Sequence, residues 1–241
     1  SLALRSRDCL RTLQEETGIE YDRLQRGILH LFFSPRDFSQ ARPRAALLHN
    51  FGIRAEVLDA QACFDIEPAL AHCRERLQGG LYAPDDETGD ALAFTQGLAE
   101  LGRQAGVQFR YGMRITALSG KAGSIAAAIA EGDDGSRERI GGDVFLLALG
   151  SHSAEMVRPL GELAKSLGIK LPVYPVKGYS VTLPLATEAV APMVSITDES
   201  RRIVCSRLGN RLRIAGTAEL NGFDISVNAE RCQAILRRAE E

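Results

Sequence analysis

The segment DVFLLALGSHSAEM, residues 143–156, joins an apolar run to a helix-like stretch through a Gly-Ser turn. A strand, turn and helix in this order can cradle a nucleotide, because the first amides of the helix point at the phosphates. The chain contains no G-x-G, so the usual phosphate-binding fingerprint is absent. A glycine after a strand is also common in turns, and the segment alone leaves open a buried strand without a ligand.

The other chemistry-bearing residues favour no metal site and no hydrolase triad. Four acids lie close together in the PDDETGD segment, but Gly and Glu are missing at loop positions six and twelve of the Ca²⁺-binding pattern. They are expected to form a solvated turn and a helix cap. The four histidines have no metal-ligand spacing, and no serine lies in a G-x-S-x-G elbow. No catalytic residue can be named from these patterns.

Composition places the chain among ordinary globular proteins. It has 241 residues, of which 45% are hydrophobic and 25% charged, with a net charge of −2. There is no run of basic residues, so nucleic acid is not an expected partner. The apolar runs are too short for a membrane span. Five scattered cysteines without a C-x-x-C indicate a reducing compartment, and a cytoplasmic location is expected.

Periodicity predicts a chain that alternates between helices and strands. Its clearest helix follows Asp90, with an apolar face of the kind that packs on a sheet and Gly106 as a stop. A strand at 107–111, an antiparallel meander through about residue 140 and a buried parallel strand at 144–149 follow. Further strands are expected at 27–33, 55–58, 79–83 and 179–183, and in a hairpin over 203–218 that turns at Gly209.

Four segments together carry a family resemblance. They are LYAPDDETGDALAFTQGLAELGRQAGVQF, FLLALGSHSAEM, PVYPVKGYSVTLP and RLRIAGTAELNGFD. In this order and spacing they resemble the small-subunit type of bacterial D-amino acid dehydrogenase, a flavoprotein of the D-amino acid oxidase and glycine oxidase group. The resemblance covers nearly the whole chain. It implies an internal fragment, because the family's G-x-G-x-x-G turn and its later substrate-binding arginine are both absent.

The resemblance implies an α/β (α+β) fold in two interleaved parts. Residues 1–16, 86–160 and 227–241 are expected to form the remnant of a Rossmann-like FAD-binding domain with its β-meander. Residues 17–85 and 161–226 are expected to form a substrate domain built on a mixed or antiparallel sheet.

Site residues follow from the same resemblance. Ile115 matches the position whose main chain pairs with adenine, and Ala148 and Gly150 match the turn that passes close to FAD. Tyr179 and Arg207 are candidate substrate contacts, although a packed tyrosine and a solvated arginine are the alternative interpretations. No metal is expected, and the chain alone is expected to be inactive and to bind FAD weakly or not at all.

The implied reaction is the FAD-dependent oxidative deamination of a D-amino acid to a 2-oxo acid and ammonia. A respiratory-chain or quinone acceptor is implied for the parent, and peripheral association with the inner face of the bacterial inner membrane stays open. Two alternatives remain: a binding or scaffold module without redox chemistry, and another amine-oxidising flavoenzyme of the glycine or sarcosine oxidase type.

Overall fold

A computed structural model describes residues 2–121, 124–157, 168, 171–186 and 191–240. The described residues divide into two compact units. The sheet unit lies within 1–105, 178–218 and 226–241, and the meander unit within 106–177 and 219–225. These two units differ in their bounds from the predicted domain ranges. The assignment of those ranges to a cofactor domain and a substrate domain stays a prediction.

Seven α-helices occur among the described residues. They are α1 Leu2–Thr17, α2 Pro35–Phe38, α3 Ala41–Asn50, α4 Ala60–Ile66, α5 Ala91–Gln104, α6 Ser153–Val157 and α7 Ala229–Glu240. Two 3₁₀ segments accompany them, Pro68–Cys73 and Gly150–His152. None of the helices in the described ranges is long and apolar enough to cross a membrane.

The strands form a mixed α/β architecture, as the sequence predicts. They are β1 Ile28–Phe32, β2 Glu56–Asp59, β3 Gly79–Ala83, β4 Met113–Lys121, β5 Ser124–Gly132, β6 Arg137–Gly141, β7 Lys177–Pro184, β8 Ser195–Asp198, β9 Ile203–Leu208 and β10 Arg211–Glu219. In the described chain they make a seven-stranded sheet, ordered β2-β3-β1-β8-β9-β10-β7, and a three-stranded sheet, ordered β4-β5-β6. Strands β1 and β8 pair in parallel, while β1–β3, β2–β3, β8–β9 and β9–β10 are antiparallel.

The seven-stranded sheet buries residues on both faces because strand side chains alternate. Leu29 and Leu31 point to one face, where they pack with Cys63 and Phe64 of α4. Phe32 and Leu81 belong to a second cluster with alanines of α3. A third cluster, beneath α7, is formed by Tyr179, Ile203, Ile214 and Ile235.

Two close approaches explain the glycines of β3. A Cβ on Gly80 would lie 2.8 Å from the Cys63 sulfur, and one on Gly79 would lie 2.4 Å from the Leu58 carbonyl oxygen. Small residues at these positions therefore let α4 and β2 pack directly against the strand.

Pro43 lies close to a break between two helices. α2 ends at Phe38, and α3 begins at Ala41, so Pro43 occupies the first turn of α3. A proline is tolerated there because the first amides of a helix have no partner within the helix.

The strands predicted at 107–111 and 144–149 are wrong. Neither segment pairs with a strand among the described residues, and both are irregular. Their apolar side chains are exposed instead, including Tyr111 at 70%, Val144 at 87% and Leu146 at 90%. An apolar run forms a buried strand only if a neighbouring strand supplies backbone hydrogen bonds. No strand in the described part of the chain does so here.

Candidate functional site

Ile115 lies on the outer strand of the three-stranded sheet. It pairs with Ala130, and the register shifts between Ile115 and Ala117, which leaves Thr116 in a β-bulge. Because β4 is an edge strand of the described sheet, its outer backbone groups are not used by the β4–β5 ladder. A backbone of this kind can hydrogen-bond to the edge of a flat heterocycle whatever its side chains are.

Gly150 lies at the turn that precedes α6. Its φ is +54°, in the left-handed region, and no atom lies within 4 Å of the position that a Cβ would occupy. Ala148 is exposed two residues earlier, in the irregular segment before the turn. The glycine therefore serves the backbone conformation of the turn, and space for a ligand remains beside it.

A groove in the meander unit contains Ile115 and the residues that flank the Gly150 turn. Its volume is about 730 Å³, which is sufficient for part of a dinucleotide. The described residues that line it are Met113, Arg114, Ile115, Thr116, Leu149, His152, Glu155 and Met156. Of the three sequence-predicted cofactor positions, only Ile115 lines the groove. Gly150 lies between the lining residues Leu149 and His152, and neither Gly150 nor Ala148 is part of the lining.

His152 is one of the residues that line this groove. Its Nδ1 lies 2.7 Å from Glu155 Oε2, and its ring stacks on Phe223 at a centroid distance of 4.6 Å. The His-x-x-Glu spacing, which puts both residues on one helical face, was the available signal for this side-chain contact. Nothing in the sequence near His152 predicts its contact with Phe223.

Tyr179 and Arg207 are both buried, at 7% exposure. The Tyr179 hydroxyl oxygen accepts a hydrogen bond from the Asn228 backbone at 3.3 Å. The Arg207 Nε donates to the Gly209 carbonyl oxygen at 3.1 Å. The interpretation of Arg207 as a solvated arginine is wrong, because its guanidinium is packed against the hairpin turn and the Met193 sulfur.

Strand order separates these two residues. Tyr179 lies on β7 and Arg207 on β9, with β10 between them. Tyr179 is packed in the cluster beneath α7 and is not aimed at an open surface. A role for either residue in substrate binding stays a prediction.

The acidic segment before α5 forms ion pairs and a cap rather than a cation site. Glu87 Oε2 accepts from Arg23 at 2.7 Å, and the Glu87 side chain is only 12% exposed. Asp90 accepts from the amides of Leu92 and Ala93, as the predicted helix cap should. No group of three or more potential metal ligands is found in the part of the chain that the structure describes.

Comparison with known proteins places this fold in a family. The model of the family described as DAO, FAD dependent oxidoreductase, matches residues 1–241. The chain belongs to this FAD-dependent oxidoreductase family. It is 45% identical over 241 residues to a D-amino acid dehydrogenase of Dechloromonas aromatica (strain RCB), covering 100% of the chain and 56% of that relative. It is 42% identical over 238 residues to a D-amino acid dehydrogenase of Methylobacterium nodulans, covering 99% of the chain and 54% of that relative.

These relatives confirm the resemblance drawn from the four sequence segments. The chain spans about half the length of the curated relatives that it matches. Family membership also fits the groove beside Ile115, since the turn and the strand edge leave space on the surface for a cofactor.

Two solved structures share the fold. Glycine oxidase from Geobacillus kaustophilus superposes with a TM-score of 0.78 at 23% identity, over 99% of this chain and 60% of that protein. L-proline dehydrogenase from P. horikoshii gives a TM-score of 0.79 at 14% identity, over 98% of this chain and 60% of that protein. At these identities the likeness establishes the fold alone.

Proposed function

We propose that the chain is part of an FAD-dependent D-amino acid dehydrogenase. One observation carries this proposal: identity of 45% along all 241 residues to a protein of that name. Fold similarity alone would not select this activity, because enzymes with different substrates share the fold.

The meander unit supplies the proposed cofactor contacts of this chain. The outer backbone edge at Ile115 would pair with adenine, and the Gly150 turn, with Ala148 before it, would pass beside the dinucleotide. The open space beside Gly150 and the 730 Å³ groove fit such a group. When bound, FAD accepts a hydride from the Cα of the amino acid, and water hydrolyses the imino acid product to a 2-oxo acid and ammonia.

The predicted division into domains is retained as part of the proposal. Residues 86–160 contain the proposed cofactor groove, and 17–85 with 161–226 contain most of the seven-stranded sheet, where we place the substrate. Some residues of these ranges, such as 158–167 and 187–190, lie outside the described chain. Tyr179 and Arg207 of this sheet are retained as candidate substrate contacts.

A respiratory-chain or quinone acceptor is proposed for the whole protein. Association with the inner face of the bacterial inner membrane would bring it close to such an acceptor. The exposed apolar segment at 144–149 is proposed to be covered in the longer protein by strands that lie outside this chain.

The test is to express the longer protein that contains this chain and to measure reduction of an artificial electron acceptor. D-alanine should bleach the flavin absorbance and reduce the acceptor, while L-alanine should do neither. Oxidation of glycine with direct use of O₂, and no reaction with D-alanine, would replace the proposal with an oxidase of the glycine type. A longer protein without flavin absorbance would support a binding or scaffold module.

A further inference from the structure

A cavity of about 230 Å³ lies within the sheet unit, between the sheet, α7 and the 3₁₀ segment Pro68–Cys73. Its floor is formed by Ile196, Cys205 and Ile214, which pair across β8, β9 and β10. Paired residues point to the same face of a sheet, so these three side chains form one continuous surface. The helical residues that line the cavity are Leu70, Cys73, Arg238 and Ala239.

The proposed function uses none of these residues. The cavity shares no described lining residue with the groove beside Ile115. Neither Tyr179 nor Arg207 is among the described residues that line it. The cofactor and substrate contacts proposed above therefore do not account for this cavity.

The interior of the cavity favours an apolar group over water. Leu70, Ile196, Ile203 and Ile214 of its lining are all buried, with 9% exposure or less. Their side chains offer no hydrogen bonds, whereas a buried water needs about two to four polar partners. An apolar cavity of about 150 Å³ stays dry and admits a benzene ring. The larger cavity of this chain therefore has room for a hydrocarbon group of that size.

The charged residues of the lining are mostly arginines. They are Arg76, Arg201 and Arg238, and Asp198 is the one acid among the described lining residues. Asp198 is already used, because its carboxylate accepts from Arg201 Nη1 and from the Ser200 amide, both at 2.9 Å. Arg238 is half-buried and forms no ion pair in the described part of the chain. The remaining charge is positive, so the polar end of a ligand should be an anion.

We propose that this cavity binds a monocarboxylate with an apolar chain, of the medium-chain fatty acid class. The chain would lie over Ile196 and Ile214, and the carboxylate would accept hydrogen bonds from the Arg238 guanidinium at the end of α7. A small inorganic anion would match the charge but leave the apolar floor uncovered. An uncharged hydrocarbon would cover the floor but give Arg238 no acceptor.

Two native cysteines allow a first test on the unmodified 241-residue chain. Cys73 lines the cavity, whereas Cys9 is exposed on α1 and serves as an internal control. Hexanoate at about five times its Kd should slow iodoacetamide labelling of Cys73 about fivefold, because the fraction of unoccupied cavity falls in proportion. The labelling rate of Cys9 should not change, and acetate should protect neither thiol. An unprotected Cys73, or equal protection of Cys73 and Cys9, overturns the proposal.

Isothermal titration calorimetry separates recognition of the chain from recognition of the head group. Hexanoate should bind more tightly than butanoate, and acetate should not bind, because each buried methylene adds apolar contact. Hexylamine, with the same chain and a cationic head, should bind about tenfold more weakly than hexanoate. Equal affinity for acetate and hexanoate would show that charge alone is recognised. Equal affinity for hexylamine and hexanoate would show that the chain alone is recognised, and either result refutes the proposal.

Arg238→Gln and Arg237→Gln are a matched pair in the last turn of α7. Arg238 lines the cavity, while Arg237 is exposed and is not among the described lining residues. Arg238→Gln should weaken hexanoate binding about fivefold, as expected for loss of a partly exposed charge pair, and Arg237→Gln should leave Kd unchanged. Ala239→Trp should obstruct the cavity from α7 and abolish binding. Near-UV circular dichroism checks that each variant is folded, and equal Kd values for the two folded glutamine variants refute the proposal.

Two other occupants of the cavity would give different results. If hexanoate binds to the 241-residue chain but not to the longer protein, a segment of the longer protein fills the cavity and the proposal is wrong. If the chain sediments with phosphatidylglycerol vesicles through Arg238 and does not bind hexanoate, the occupant is a membrane lipid and the proposal is also wrong. Hexanoate binding to the longer protein, with the same dependence on Arg238 and Ala239, confirms it.

Discussion

Asp90 links the start of α5 to the β9–β10 hairpin through Arg211. One carboxylate oxygen of Asp90 accepts from the Leu92 amide at 2.8 Å and the Ala93 amide at 3.2 Å, and the other accepts from Arg211 at 2.7 Å. Arg211 also donates to Asp22 at 3.0 Å. A helix cap and a long-range ion pair therefore share one buried carboxylate.

Removing this carboxylate should lower the stability of the chain. Asp90→Ala loses the cap and the ion pair, and we expect the free energy of unfolding to fall by about 2 kcal/mol. Asp90→Asn keeps a capping oxygen and should lose about half as much. Urea denaturation measures both. Glu100→Gln, at an exposed ion pair with Arg103, is the control and should change stability by less than about 0.5 kcal/mol.

The effect of Asp90 should depend on pH. Hydrogen bonds from the Ala93 amide and from Arg211 hold the pKa of Asp90 below its ordinary value. The ionised carboxylate therefore stabilises the fold fully above the ordinary carboxyl pKa, and this contribution is lost as the pH falls through the lowered pKa. The stability difference between wild type and Asp90→Asn should be largest near pH 7 and shrink below about pH 4. A difference that grows toward acid pH would contradict this explanation.

Glu67 is also expected to stabilise the fold, through hydrogen bonds to backbone amides. It is 4% exposed, and its carboxylate accepts from the backbone amides of Ala69, Met193 and Val194 at 2.7–3.0 Å. Glu67→Gln places an NH₂ group against backbone donors, so we expect a loss of about 2–3 kcal/mol in urea denaturation. The exposed Glu75→Gln is the isosteric control. Equal stability of the two variants would show that these three hydrogen bonds contribute nothing.

Substitutions of Gly150 should distinguish an effect on folding stability from an effect on FAD affinity. Gly150→Ala should lower the free energy of unfolding by about 1–2 kcal/mol, because the left-handed backbone is strained with any Cβ. Gly150→Leu in the longer protein should in addition lower FAD affinity several-fold. Gly178→Ala, where the Cβ also meets open space, is the control. Unchanged FAD affinity in Gly150→Leu would show that the glycine serves the turn alone.

FAD should not be retained by the 241-residue chain. The groove beside Ile115 offers a strand edge and a turn, but the chain has no G-x-G-x-x-G segment to bind the pyrophosphate at a helix start. Gel filtration after incubation with FAD, followed by absorbance near 450 nm, measures the retained flavin. A stoichiometric yellow complex would refute this expectation.

Thiol labelling should distinguish cysteines packed in the core of the sheet unit from an exposed one. Burial raises the pKa of both Cys63 and Cys205 to about 11, whereas Cys9 is exposed on α1. At pH 8 iodoacetamide should modify Cys9 first and reach Cys63 and Cys205 only in urea, because the thiolate is the reactive form. Mass spectrometry of peptides identifies the sites. Rapid native labelling of Cys63 would mean that α4 opens from the sheet.

The sequence determined the features that depend on neighbours in the chain. Asp90 as a cap, the hairpin turn at Gly209 and the meander after residue 112 follow from local propensity and periodicity. The family also followed from the sequence, because four segments with specific residues lie in a fixed order along the chain.

Only the tertiary structure decided which surfaces face which neighbours. The apolar run at 144–149 predicts a buried strand, but burial requires a partner strand, and the described chain supplies none. Likewise, Arg213 and Ile214 are neighbours on β10, yet alternation puts Ile214 in the buried cluster beneath α7, while Arg213 is only partly buried and donates from Nε to Thr182 Oγ1. Sequence fixes the period of a strand, whereas the packing of helices on one face decides which of its side chains can reach a ligand.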